Sequence, residues 1–265
     1  MLTRLTMAMT VLALVAACGQ PADNATNTTN DAAAASPQEY QAAPEVLGAS
    51  VAKGGAIELT GSASPGVAVR LASPGGAAQF ATANARGRWR IALAAAPAPR
   101  LFGLSMSSGG PVVQAMGYIF VAPDGAVARL RAGGGTEALA PGAQGLEALA
   151  LDYDNRRAAA LSGLATPGAA VTLRVDGVER GQAVADKSGR FTLALNEPLD
   201  AGAHGFDLTS ASGEAQFEVT VDAPATLAKG PFVAVRQDHA WRVDWRTPGG
   251  GAQTTLVLDA GGSGG

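Results

Sequence analysis

The sequence predicts an all-β protein built from two related β-sandwich units, and three observations carry that prediction. Short runs of alternating apolar residues are separated by turn signals about every 8–12 residues, the rhythm of a sandwich rather than of helices. A block of sequence returns in register far downstream. The chain also has 35 glycines and 15 prolines but only 5% aromatics, so its cores must be assembled from small and β-branched side chains between many tight turns.

The repeat is read by sliding the chain against itself. Leu59-Thr60-Gly61-Ser62-Ala63-Ser64-Pro65-Gly66-Val67-Ala68-Val69-Arg70-Leu71 aligns with Leu161-Ser162-Gly163-Leu164-Ala165-Thr166-Pro167-Gly168-Ala169-Ala170-Val171-Thr172-Leu173, an offset of 161 − 59 = 102. Without a gap, Gly87-Arg88-Trp89 then falls on Gly189-Arg190-Phe191 and Leu93 on Leu195. Each element of the second copy has a local reason. Pro167-Gly168 suits the centre of a type II turn, and Val171, Leu173 and Val175 alternate in the strand that follows. Asp176-Gly177 is a hairpin signal. After the polar turn Asp186 to Arg190, Phe191, Leu193 and Leu195 point one way, and Phe206 to Thr209 and Ala215 to Val221 supply the last strands.

These residues resemble the bacterial Ig-like domains of surface and envelope proteins. The resemblance lies in the Gly163 to Pro167-Gly168-Ala169-Ala170-Val171 step, the Asp186-Lys187-Ser188-Gly189-Arg190-Phe191 step and the Ala201-Gly202-Ala203-His204 turn. It covers residues 158–222 well. The first copy departs where Asn84 replaces Asp186 and Ala98-Pro99-Arg100 replaces the turn with the histidine. The resemblance implies two tandem Ig-like sandwiches, at 45–146 and 147–222, serving as a spacer or adhesion module without an active site; fold alone does not fix function.

Ahead of them, Met1 to Ala17 has a short n-region with Arg4 and an apolar run too short to span a bilayer, which reads as an export signal over residues 1–17. The run Leu14-Val15-Ala16-Ala17-Cys18 resembles the lipobox of bacterial lipoproteins, with valine where leucine is commoner three places before the cysteine. That resemblance implies cleavage before Cys18, acylation of its thiol, and a membrane partner reached through the lipid. Gly19, rather than aspartate, after the cysteine implies the outer membrane of the cell envelope. An ordinary secretory signal is the alternative. Cys18 is the chain's one cysteine, so no internal disulfide can form. Residues 18–44 are rich in Ala, Asn, Thr and Pro and read as a flexible tether.

Between the copies, Tyr118–Val121 and Val127–Leu130 read as strands joined by Pro123-Asp124-Gly125, and Gly133 to Gly145 reads as the linker between domains. Residues 223–258 read as a three-stranded meander, with 259–265 a flexible tail. In Trp241-Arg242-Val243-Asp244-Trp245-Arg246, one face carries the aromatics and the other the charges. Trp241 and Trp245 are the candidate binding residues, as a platform for a polysaccharide or an envelope protein; the alternative is that they cover the open end of the second domain.

Other chemistry is disfavoured. With a net charge of −3 the chain offers no basic face to nucleic acid. His204 and His239 stand apart from other candidate ligands, and Asp152-Tyr153-Asp154-Asn155 lacks the glycine and distal glutamate of a calcium loop, so no metal or cofactor is expected. Gly103-Leu104-Ser105-Met106-Ser107 fails as a nucleophile elbow and the carboxylates are scattered through turns, so no catalytic residues and no enzyme activity are expected.

Overall fold

The computed structural model describes residues 41–139 and 145–259. The expected signal segment, Cys18 and most of the tether lie outside these residues. Within them every regular element is a strand and every pairing is antiparallel. The first repeat unit runs through β1 (Glu45–Val51), β2 (Ile57–Ser62), β3 (Ala68–Ala72), β4 (Ala78–Thr82), β5 (Arg88–Leu93) and β6 (Arg100–Ser107). It continues through β7 (Val113–Gln114), β8 (Tyr118–Val121), β9 (Val127–Leu130) and β10 (Glu137–Ala138). The second unit holds β11 (Glu147–Asp154), β12 (Ala159–Leu164), β13 (Ala170–Val175), β14 (Val178–Val184), β15 (Arg190–Ala194), β16 (Gly202–Ser210) and β17 (Gly213–Val221). The chain closes with β18 (Phe232–Gln237), β19 (Ala240–Arg246) and β20 (Ala252–Leu258).

The duplication is visible in the hydrogen-bond register. Glu45 faces Ser62 with a bulge between Val46 and Gly48, and Glu147 faces Leu164 with a bulge between Ala148 and Ala150, each position 102 residues on. Trp89 and Phe191 occupy the same core place, opposite Gly61 and Gly163. Those two glycines are there because nothing else fits: a Cβ would lie 2.0 Å from the Glu45 carbonyl oxygen in one unit and 2.1 Å from that of Glu147 in the other. Gly66 and Gly168 have φ of +75° and +78°, as the Pro-Gly turns require. The departure at Asn84 is chemically small. Its side-chain oxygen accepts from the amides of Arg86 and Arg88, as that of Asp186 does from Ser188 and Arg190, so both close the same turn.

Four sheets stack in sequence. The first unit pairs β1-β2-β5 with β10-β9-β8-β6-β3-β4, β7 lying beside β6; the second pairs β15-β12-β11-β20-β19-β18 with β14-β13-β16-β17. Each pair encloses its own core, around Leu59, Val69, Trp89 and Met106 in the first and Leu161, Val171, Phe191 and Leu208 in the second. A third core, around Phe120, Leu130, Leu149, Val243 and Trp245, seals the two inner sheets together.

That third core joins the two tandem units directly. The meander of residues 223–258 forms three strands, and β20 pairs with β11, so β18 to β20 extend a sheet of the second unit. Its strands alternate between two interiors, with Val243 and Val257 in the seam and Ala240 and Leu256 in the second core. A sheet covered on both sides loses its polar face, which is why β19 is buried from Ala240 to Trp245. The stretch expected to begin a linker at Gly133 is instead docked, since β10 pairs with β9 and Thr136 is 0% exposed. Asp259, expected in a loose tail, is held by an ion pair to Arg236 and by its amide bond to the His239 carbonyl.

Candidate functional site

The two tryptophans singled out by sequence stand together in the seam. Trp245 is 0% exposed and Trp241 8% exposed. The Trp245 ring meets Tyr118 edge-on at 5.8 Å, and Trp241 lies 6.1 Å from Phe120. Both indole N–H groups are spent inside the protein, Trp241 donating to Asp124 at 2.8 Å and Trp245 to the Thr255 hydroxyl at 3.1 Å. The aromatic face, a possible ligand platform by sequence, is therefore covered, as the packing alternative has it, but the surface it packs on belongs to the first unit rather than to the open end of the second. Cys18, the expected lipidation site, lies outside the described residues.

A buried carboxylate closes the same seam. Asp152 accepts four hydrogen bonds: from the Thr136 amide and hydroxyl at 2.8 and 2.7 Å, from Gln253 at 3.1 Å and from Thr255 at 2.6 Å. Gln253 also bridges back to Gly133 and Arg131, tying the end of the first unit to β20. Burial pushes the Asp152 carboxyl above its usual range, against the downward pull of those bonds. Within the Asp152-Tyr153-Asp154-Asn155 run, Asp152 is a strand residue with its oxygens turned to the seam, while Asp154 caps the following turn through the amides of Arg156 and Ala158. Among the described residues no group of three or more potential ligands could hold a metal ion.

On the charged face of β19, Arg242 and Asp244 are buried, and Arg246 is exposed. The segment after β17 crosses over that face, so Arg242 donates to Asp244 at 2.9 Å, to Asp222 at 3.2 Å and to the Ala223 carbonyl at 2.8 Å. Asp244 accepts further bonds from the Ala225 amide and the Thr254 hydroxyl. Burial would raise its pKa, but the Arg242 guanidinium and these donors outweigh it and hold the carboxyl below the ordinary value. His204 binds Asp176 at 2.7 Å and the Asp200 carbonyl at 2.9 Å, clasping the turn that the sequence assigned to it.

A groove of about 620 Å³ opens in the second unit, within the range of ligand clefts. One wall is the outer edge of β17, and the other is the end of the overlying sheet where β11, β19 and β20 meet. Apolar side chains such as Phe217, Val219 and Leu258 form its floor, and Glu147, Glu218, Asp238 and Asp259 stand on its rim. No single stretch of sequence marks this groove, because its walls come from segments more than 100 residues apart in Glu147 and Asp259.

No known family model matches the chain, and no curated protein matches it. Among solved structures, one matching chain is described as "Biofilm associated protein - BSP domain", at 15% identity and a TM-score of 0.22. The match covers 70% of this chain and 30% of that one, so this chain spans under a third of that structure's length.

Proposed function

We propose that this chain is a lipid-tethered module of the bacterial cell envelope whose two sandwiches act together as a stiff, non-catalytic spacer and interaction body. The observation that carries the reading is the sealed seam: Trp241, Trp245 and the Asp152 cluster join the two units where a flexible array would have a free linker. Polar side chains that could have served chemistry are committed to packing bonds, Asp152 to Thr136 and Thr255, Asp244 to Arg242 and Thr254. The run Val15-Ala16-Ala17-Cys18 supplies the tether in this reading, and Gly19 the outer-membrane address. The polysaccharide platform loses its support, since the faces of both tryptophans are already occupied.

Metabolic labelling with a fatty-acid analogue tests the anchor. The wild-type chain should take up label and fractionate with membranes, whereas Cys18→Ala should be unlabelled and soluble. A mutant that stays labelled and membrane-bound would refute the proposal.

A further inference from the structure

The groove beside β17 has an internal precedent, because the first repeat unit fills the same place with its own chain. Strands β7 and β8 together are the counterpart of β17. Ser105 faces Gln114 as Asp207 faces Gln216, both pairs 102 residues apart in register. After the break between β7 and β8, Arg100 faces Val121 as Gly202 faces Val221. Inward residues correspond too, with Ile119 and Val121 packed in the first core as Val219 and Val221 are in the second. On the outer edge of β8, the first unit places β9, pairing Val127 with Val121 and Arg129 with Ile119. The second unit places nothing there among the described residues: β17 ends its sheet, and the chain departs to β18 on the opposite sheet.

We propose that the outer edge of β17 accepts an extended, basic polypeptide segment from a partner protein, added as a fifth strand to its sheet. Three features select that occupant. The edge is nine residues long, pairs with β16 without a bulge and carries no proline or lysine, so it lacks three of the devices that protect edge strands from pairing. The half-buried Phe217 and Val219 leave apolar surface for alternate side chains of an incoming strand, the arrangement that gives strand addition its specificity. The charges then set its sign. In the first unit Arg129 of β9 reaches Glu45 at 3.7 Å, and in the second the exposed Glu218 of β17 stands on the rim of the groove. Glu214 and Glu218 face outward along the edge, so a second copy pairing β17 with β17 would set like charges against each other.

The natural probe is the chain's own filling strand. A fluorescent peptide of residues 125–132, which includes Arg129 and Arg131, is titrated into the intact protein, and amide hydrogen exchange is followed in parallel. The peptide should bind and slow exchange of outward amides over Gly213–Val221 by about tenfold or more at saturation. A peptide carrying Arg129→Glu and Arg131→Glu, and a protein carrying the exposed substitution Glu218→Lys, should each bind at least about fivefold more weakly, with the protein's thermal midpoint unchanged. Any of three results would overturn the proposal: equal binding of the acidic peptide, protection confined to residues 118–130 by strand exchange in the first unit, or peptide-free protection of β17 that rises with protein concentration and so identifies a second copy.

Discussion

Replacing Trp245 by alanine should uncouple the two sandwiches rather than merely soften one of them. The side chain is fully buried in the core between the inner sheets, where truncating a tryptophan costs about 3–5 kcal/mol. Its edge-on contact with Tyr118 accounts for about 0.5–1.5 kcal/mol of that and its bond to Thr255 for about 1 kcal/mol. A domain is held by only about 5–15 kcal/mol in total, so the seam would lose most of its share. Urea unfolding followed by circular dichroism and by fluorescence should show one coincident transition in the wild type. Trp245→Ala should give two, the first-unit tryptophan Trp89 reporting only one of them. Trp245→Phe keeps the apolar bulk and gives up the N–H, so it should cost about 1 kcal/mol and remain a single transition. If Trp245→Ala unfolded in one step within about 1 kcal/mol of wild type, the seam would not be what joins the units.

Thr136→Val keeps shape and removes the hydroxyl that donates to buried Asp152, which should cost about 1.5–3 kcal/mol in the same unfolding assay; an unchanged midpoint would show that the bond contributes nothing. Gly163→Ala would drive a Cβ to within 2.1 Å of a backbone oxygen, beyond what a rotamer change can relieve, and should cost at least about 1–3 kcal/mol or leave the chain unfolded; a wild-type thermal midpoint would contradict the packing at Phe191. Burial lowers the pKa of His204, but the Asp176 and Asp200 oxygens outweigh it and leave it raised. A raised histidine stabilises most fully below its unfolded value of about 6.5 and loses that contribution as pH rises through the folded value. Urea midpoints should therefore fall across that window in the wild type and fall less in His204→Gln; identical slopes would remove the clasp from the stability of this turn. Asp176, whose carboxyl is held low by His204 and the Gly205 amide, adds the opposite limb: its contribution is present above about 3.9 and is lost as acid titrates it.

The sequence alone determined the strands, the duplication and the turns, because these depend on local chemistry. Alternation of Trp89, Ile91 and Leu93 sets which side of β5 faces inward, Pro167-Gly168 sets a turn, and Gly61 and Gly163 mark where a neighbouring backbone comes too close for a side chain. It also carried the lipobox-like run at Cys18, whose reading needs no fold at all. Which surface each strand would cover was decided only by the tertiary structure. Arg242 and Asp244 alternate with tryptophans as residues of a solvated face do, yet the crossing of residues 222–225 buries them, a fact set by where a later segment happens to run. Thr136 sits in a glycine-rich stretch that reads as linker, and its partner Asp152 reads as part of a turn. Their bond exists because two sheets meet face to face, and burial and hydrogen bonding between distant segments leave no periodic trace in either one. The open edge of β17 is hidden for the same reason, since an edge is defined by the strand that does not pair with it, and pairing is a property of the assembled sheet.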